Sequence, residues 1–198
     1  MTNTVALETI RLLLDKADAP YFTDAEIQTF IELATHDFVE QNYSRFETNQ
    51  ESRDNLRTLV VEDTTSITSD TVAYPADFRY FLSANVTINN IPYSLKFYQI
   101  DDVDATINDP FNRASATNPI LVSQGNTLRI IGAVPASGVL RYLQNPTMDT
   151  TAGNQINDLP QHTHFETVNM AARKMLANID ASKQFYAAQA GETAAQNR

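Results

Sequence analysis

The segment from Thr23 to Tyr43 constrains this chain most, because it carries the signals of a long amphipathic helix. Thr23 and Glu26 are spaced as a capping box, in which each side chain accepts a hydrogen bond from the other residue's backbone N–H. Apolar residues follow at helical spacing along one face: Ile27, Phe30, Ile31, Ala34 and Phe38. Such a stripe needs packing partners, and the flanking segments can supply them.

Two further helices are predicted near the ends of the chain. Residues Thr4 to Lys16 carry an apolar stripe, and the break at Ala19-Pro20-Tyr21 makes this segment an antiparallel neighbour of the central helix. Leu159-Pro160 opens the last helix, because the missing N–H of proline costs nothing in the first helical turn. Its apolar face runs from Phe165 to Ile179.

Between these helices the apolar period changes to two, which is typical of strands. The alternation on either side of Asn89-Asn90 predicts one hairpin, and the apolar runs around Gly125 predict a second. The block from Ser83 to Leu143 therefore contains about four or five short strands. Residues 57–62 also have strand character.

Two segments near these strands are predicted to be helical instead. Pro75 can open one helical turn at Tyr74–Phe78. Residues Asp101 to Asn108 are predicted to form a short helical interruption that ends before Pro110. The Thr- and Ser-rich segment from Asp63 to Thr71 is predicted to be a loop or a weak edge.

These elements predict an α+β fold in which a bundle of the N-terminal helices and the C-terminal helix carries an inserted small antiparallel β lobe. The chain is then a single domain of 198 residues. Residues 1–56 and 159–183 form the helical part, residues 57–146 the β lobe, and residues 184–198 a flexible C-terminal tail. Within the bundle, Phe30 and Phe38 should be core residues that touch the last helix at Val168 and Met175.

The charge balance limits the partners that the chain can bind. Its formal net charge is −10, from 24 acidic and 14 basic residues. A protein that grips nucleic-acid phosphates needs a basic surface, so this balance argues against such a function. It favours solubility or a basic partner. The absence of cysteine excludes disulfides and thiolate metal sites, and no apolar run is long enough to span a membrane.

Two clusters have some metal-binding character, and neither satisfies the requirements of a site. His162 and His164 are two residues apart, whereas helical metal pairs favour a spacing of three or four. A calcium loop starting at Asp102 would need glycine and glutamate where Ile107 and Arg113 stand. We therefore predict no metal.

The sequence contains no motif that predicts catalysis. It has no glycine-rich phosphate loop and no Gly-x-Ser-x-Gly turn. A group of aromatic residues could stack on a sugar, although such residues more often pack in a core. These aromatic residues are Tyr74, Phe78, Tyr80 and Phe81. We predict that the chain is not an enzyme, with no catalytic residues and no cofactor.

Several motifs occur in the same order as in one group of viral proteins. After the N-terminal helix pair they are Tyr74-Pro75-x-Asp77-Phe78, Leu140-Arg141-Tyr142-Leu143-x-Asn145-Pro146, Leu159-Pro160 and Ala171-Ala172. From about Thr4 to Ile179 the chain resembles the head-to-tail connector proteins (adaptor or ring proteins) of tailed bacteriophages. The segment Asp109-Pro110-Phe111-Asn112, followed by Asn118-Pro119, is similar to those of crAss-like phages.

This resemblance implies a structural virion protein at the head-tail junction, made in the cytoplasm of the host cell. Such subunits form a homo-oligomeric ring, usually a dodecamer, beneath the portal protein. The helical part docks on the portal, and the β lobe meets the next tail or ring protein. Genomic DNA passes through the lumen without sequence-specific binding, and no membrane is involved.

In this family the C-terminal segment often inserts between portal subunits. The resemblance therefore implies a portal-docking role for Phe185, Tyr186, Ala187, Ala188, Ala190, Ala194 and Arg198. A chain truncated after Lys183 should then keep its fold and lose its incorporation at the portal. Two alternatives stay open: a tail-associated module that binds carbohydrate or protein, and a hydrolase with dispersed acidic residues.

Overall fold

The computed structural model describes residues 1–14, 22–65, 67–98 and 113–196, with the backbone alone described for residues 182–196. The chain divides into two compact units. The helical unit comprises Met1–Thr58 and Pro146–Arg198, and the sheet unit comprises Leu59–Asn145. Each unit has its own cluster of buried apolar side chains.

In its described residues, the helical unit contains four α-helices and the loop that leads into the last of them. The helices are α1 (Asn3–Leu13), α2 (Asp24–Tyr43), α3 (Gln50–Leu56) and α4 (His164–Gln196). Helix α4 contains 33 residues and α2 contains 20. At 1.5 Å per residue these helices are about 50 Å and about 30 Å long.

The predicted capping box of α2 is confirmed. Thr23 Oγ1 accepts a hydrogen bond from the backbone nitrogen of Glu26 at 3.3 Å, and Glu26 Oε2 accepts one from the backbone nitrogen of Thr23 at 2.8 Å. The bonds from Thr23 lower the pKa of the Glu26 carboxyl group. Asp24 also lies in the first turn of α2, where the positive end of the helix dipole stabilises a negative charge. It forms an ion pair with Arg11 of α1.

The core of the helical unit lies where α1 and α2 pack on α4. Its buried members include Ile10, Ile27, Ile31, Val168 and Met175. Phe38 is 1% exposed, as predicted. Phe30 is only half-buried, and its ring meets the ring of Phe22 edge-to-face, with 5.9 Å between the centroids.

The sheet unit contains one seven-stranded mixed sheet in the order β1-β7-β3-β4-β5-β6-β2. The strands are β1 (Val60–Asp63), β2 (Thr71–Ala73), β3 (Phe78–Ile88), β4 (Ile91–Tyr98), β5 (Ile120–Gln124), β6 (Thr127–Ile131) and β7 (Ser137–Gln144). The pairing of β4 with β5 is parallel, and the other described pairs are antiparallel.

Both predicted hairpins are confirmed by the strand register. Ile88 pairs with Ile91 across Asn89 and Asn90, whose φ angles of 52° and 64° are the left-handed conformation that this tight turn requires. Gly125, with φ of 58°, lies in the turn between β5 and β6.

The sheet is curled, and the chain connectivity explains why. The edge strands β1 and β2 follow each other in sequence, so residues 64–70 must connect the two edges of the sheet. A flat sheet of seven strands would be roughly 29 Å wide, which is close to the greatest distance that this seven-residue connection could span if fully extended. Curling brings the two edges closer together. Two register shifts in β3, at Phe78/Tyr80 and Phe81/Ser83, bend the strand. Ile67 of the connection is buried in the core.

The predicted helical bundle with a small inserted β lobe is therefore wrong. The α+β class holds, but a curled, mixed seven-stranded sheet dominates the fold. The segment predicted as a loop or a weak edge ends at Thr71, which is the first residue of β2. The predicted helical turn at Tyr74–Phe78 ends at Phe78, which is the first residue of the 11-residue strand β3. The apolar runs in these segments are too short for their spacing to distinguish a helix from a strand. Pairing with distant strands determines which of the two forms. The predicted helix at Asp101–Asn108 lies outside the described residues.

Among the residues that the structure describes, no helix has the length and apolar character required to cross a membrane.

Candidate interaction surface

Large apolar side chains are exposed on three helices of the helical unit. Leu12 of α1 is 74% exposed and Phe165 of α4 is 56% exposed. The others are Val5, Leu13, Leu33 and Leu176. The sheet unit also exposes Val60, Ile91, Phe97 and Val134. Apolar surface in water is unfavourable, so such side chains favour contact with a partner. The six residues of the helical unit are called the exposed apolar set below.

A groove runs between α2 and α4 beside part of this set, with a volume of about 540 Å³. Its lining residues are Asp37, Gln41, Phe165, Glu166, Asn169, Met170, Arg173 and Lys174. Lys174 Nζ forms a salt bridge with Asp37 Oδ2 across the groove at 2.5 Å. The groove therefore combines an exposed phenyl ring with a nearly balanced set of charges.

A second, more polar cleft of about 320 Å³ lies where α2 ends and α3 begins. Gln41 and Glu166 line both depressions, which therefore adjoin and are together called the outer groove below. Arg45 and Glu51 add one positive and one negative charge. A partner with matching polar and apolar groups could bury this surface without leaving a large unpaired charge.

Polar side chains of the helical unit form hydrogen bonds with one another beside the polar cleft, which Asn42 and Asn55 also line. Asn55 Nδ2 donates to Asn42 Oδ1 at 3.0 Å, and Asn55 Oδ1 lies 3.0 Å from His162 Nε2. Asn157 Nδ2 donates to Thr35 Oγ1 at 3.1 Å. These bonds connect α2, α3 and the loop before α4. A buried polar group that lacks a hydrogen-bond partner is destabilising, so the bonds favour one arrangement of these three segments.

His164 is fully buried in this polar region, at 0% exposed. Its Nε2 donates to the carbonyl oxygen of Leu159 at 2.9 Å, and its Nδ1 accepts from the Met1 nitrogen at 2.8 Å. This arrangement requires a neutral imidazole with its hydrogen on Nε2. Burial is the main cause that lowers the pKa of His164 below its ordinary value of 6.5.

The residues predicted to dock on the portal lie at the far end of α4. The backbone of α4 is helical through Gln196, which includes Phe185, Tyr186, Ala187, Ala188, Ala190 and Ala194. Their side chains and the whole of Arg198 lie outside the described part of the structure. The docking role and the flexibility of residues 184–198 stay predictions.

The other sequence candidates occupy structural positions. His162 and His164 bond to different partners, Asn55 in one case and Met1 with Leu159 in the other. Within the described ranges, no three His, Asp or Glu residues are grouped in a way that could hold a metal ion. In the sheet unit, the ring of Phe78 lies 4.4 Å from that of Tyr74 and 5.5 Å from that of Tyr142.

The sequence patterns did not predict the exposed apolar set as a surface. Val5, Leu13, Phe165 and Leu176 belong to the apolar stripes predicted for the first and last helices, and they were expected to pack inward. A signal was present in Leu12-Leu13-Leu14, because consecutive residues point in different directions around a helix and cannot all face the core. Leu14 is buried, whereas Leu12 and Leu13 are exposed.

No family model matches this sequence, and no curated protein is significantly similar to it.

Proposed function

We propose that this chain is a structural subunit that assembles with copies of itself into a ring, as a head-to-tail connector beneath a phage portal. The observation that carries the proposal is the exposed apolar set on α1, α2 and α4. A ring contact between subunits would bury these side chains and remove their unfavourable contact with water.

Two further properties support the same proposal. The outer groove has mixed charges and one exposed ring, which is the composition of an interface with a partner protein. The net charge of −10 is compatible with DNA that passes through a lumen without being held by its phosphates. The ring, the portal, the neighbouring tail protein and the location in the virion belong together in this proposal, which involves no catalytic step.

The assembly is tested by the mass of the purified chain in solution, alone and mixed with the portal protein of the same virus. The double variant Leu12→Asp with Phe165→Asp should remain folded and lose the ring, because it places two charges in the exposed apolar set. Val134→Asp is the matched control, since Val134 is 71% exposed in the sheet unit. Rings that persist in the double variant would contradict the proposed interface.

Docking on the portal needs a separate test. A chain that ends after Lys183 lacks all seven predicted docking residues and should keep its melting temperature while losing incorporation at the portal. Unfolding of the truncated chain would show that the segment belongs to the core. Retained portal binding would place docking elsewhere, and the outer groove is then the next surface to mutate.

The carbohydrate-binding alternative has less support in the described residues. The rings of Phe81 and Phe97 stack at 4.8 Å with an interplanar angle of 22°, so these faces contact each other. Sugar binding by stacking needs an open ring face. A chain that stays monomeric with the portal present and binds a glycan would favour this alternative over the connector.

A further inference from the structure

The first three residues of the chain are held against the loop that precedes α4. The nitrogen of Asn3 donates to the carbonyl oxygen of Asn154 at 2.8 Å, and the nitrogen of Ile156 donates to the carbonyl oxygen of Met1 at 3.3 Å. Thr2 and Gln155 form an antiparallel bridge between these two bonds. Residues 1–3 therefore form a short strand-like contact, called the N-terminal clamp below.

The clamp ends on the imidazole of His164. The Met1 nitrogen donates to Nδ1 at 2.8 Å, while Nε2 is already occupied as the donor to Leu159. The ring can accept at Nδ1 only while it is neutral. A proton on Nδ1 would set one donor against another inside a site that water does not reach, since His164 is 0% exposed.

We propose that His164 is an acid-operated latch: its protonation releases the N-terminal clamp and the start of α1 from the loop before α4. The released conformation lets the imidazolium reach water or another acceptor. The clamp is held by His164, by the backbone bonds of residues 1–3 and by the Met1 side chain, which packs against the apolar core. The buried members of that core do not titrate, so we expect the response to be local.

The groups that face His164 determine the direction of the response. The amino group of Met1 and the ring of His162 are the titratable groups that act on it, and both oppose a positive charge on its ring. Burial is the largest cause that opposes this charge, whereas the hydrogen bond that Nε2 donates to the Leu159 carbonyl oxygen favours it. The balance lowers the pKa of His164 in the closed state.

The sign of the pH dependence follows from this lowered pKa. A released His164 titrates near its ordinary value of 6.5, whereas the clamped residue takes up its proton at lower pH. The clamp is therefore fully stable above pH 6.5 and is lost as the pH falls through the pKa of the closed state. One proton taken up on release raises the opening equilibrium by up to about tenfold per pH unit in that window.

Hydrogen exchange of the full chain, read peptide by peptide, tests the latch between about pH 7.5 and about pH 5. After correction for intrinsic exchange rates, peptides from residues 1–14 should lose protection on acidification. Peptides from the hairpin of β5 and β6 serve as the internal reference and should not change. Equal loss in both regions would mean general acid unfolding and would overturn the proposal.

The variant His164→Gln keeps one acceptor and one donor without a titrating group, so its clamp should stay protected over the same range. The matched control His162→Gln should keep the response of the original chain, with its midpoint moved only slightly. A response that persists in His164→Gln, or vanishes in His162→Gln, would refute the assignment.

If His164→Gln fails to fold, NMR titration of the histidine rings in the original chain decides instead. His164 should titrate together with the loss of protection in residues 1–14, at a pH below its ordinary pKa of 6.5. Titration of His164 at or above its ordinary pKa, or at a pH where the clamp remains protected, would overturn the proposal.

Discussion

The helical unit and the sheet unit bury polar side chains very differently. Among the described residues, eight buried residues are polar, and all of them belong to the helical unit. They are Asn3, Thr35, Ser52, Asn55, Asn157, Thr163, His164 and Thr167. The interior of the sheet unit consists of aliphatic side chains and Tyr142. Strands satisfy their polar backbone through the ladder itself, whereas the helical unit must also accommodate a long loop, and polar side chains bind that loop.

This difference has consequences for stability and for function. Apolar packing is not directional and changes little with pH, so the sheet unit should behave as a rigid body over a wide pH range. A hydrogen-bonded interior fixes one arrangement but fails when a member changes its protonation state. The unit with the polar interior is also the unit that carries the exposed apolar set and the latch.

The largest expected effect comes from the core of the helical unit. Phe38→Ala removes a phenyl ring that is 1% exposed and should lower the free energy of unfolding by about 3–5 kcal/mol. Phe165→Ala, on the exposed surface of α4, should change it by less than about 0.5 kcal/mol. Urea unfolding of both variants measures the difference. An unchanged stability in Phe38→Ala would show that α2 does not anchor this unit.

The corresponding test in the sheet unit uses backbone proximity. A Cβ atom at Gly138 would lie 2.7 Å from the carbonyl oxygen of Asn85 and 2.7 Å from Cγ2 of Ile67. Gly138→Ala should therefore cost about 1–3 kcal/mol, the usual penalty of overpacking.

Gly125→Ala is the control for this test, because its Cβ would meet nothing within 4 Å. The positive φ angle of Gly125 alone should cost about 1 kcal/mol. Equal losses in the two variants would mean that the connection through Ile67 yields easily. The measurement is again urea unfolding.

The third prediction is that the stability of the two units depends on pH in different ranges. Stability of the helical unit should fall below about pH 6.5 by up to about 1.4 kcal/mol per pH unit, as His164 resists protonation. In the sheet unit, burial and the hydrogen bond to Asp77 raise the pKa of Tyr142 to about 12. Its contribution is complete below about pH 10 and is lost as the pH rises through about 12.

Thermal unfolding across the pH range, followed by hydrogen exchange to assign each transition, checks this separation. Tyr142→Phe should remove the alkaline loss in the sheet unit and leave the acid loss in the helical unit unchanged. An acid transition that begins in the sheet unit would break the comparison.

The smallest expected effect concerns the capping box of α2. Thr23→Ala removes the acceptor for the Glu26 nitrogen and should destabilise the helical unit by about 1 kcal/mol. Thr29→Ala is the control, because the Thr29 hydroxyl donates to the Ala25 carbonyl within an exposed helix. That substitution should be neutral or slightly stabilising, since alanine is the better helix former. Melting temperatures of the two variants are the measurement.

Local signals explain which parts of this fold could be predicted. The capping box at Thr23, the left-handed turn at Asn89-Asn90 and the glycine turn at Gly125 are each set by a few adjacent residues. Helix α2 and the two hairpins follow from them. The strand β2 and the start of β3 have weak local patterns, and they form because β6 and β7 are available as pairing partners.

Local sequence signals and composition were sufficient to predict the α+β class, the position of the main helix, the two hairpin turns and the acidic balance. These properties depend on residues close together in the chain or on composition alone. Tertiary structure decided the curled seven-stranded sheet, the parallel pairing of β4 with β5, and the contact between Met1 and His164. Met1 and His164 are 163 positions apart. No local preference encodes such contacts, because their free energy arises only when distant segments meet and exclude water together.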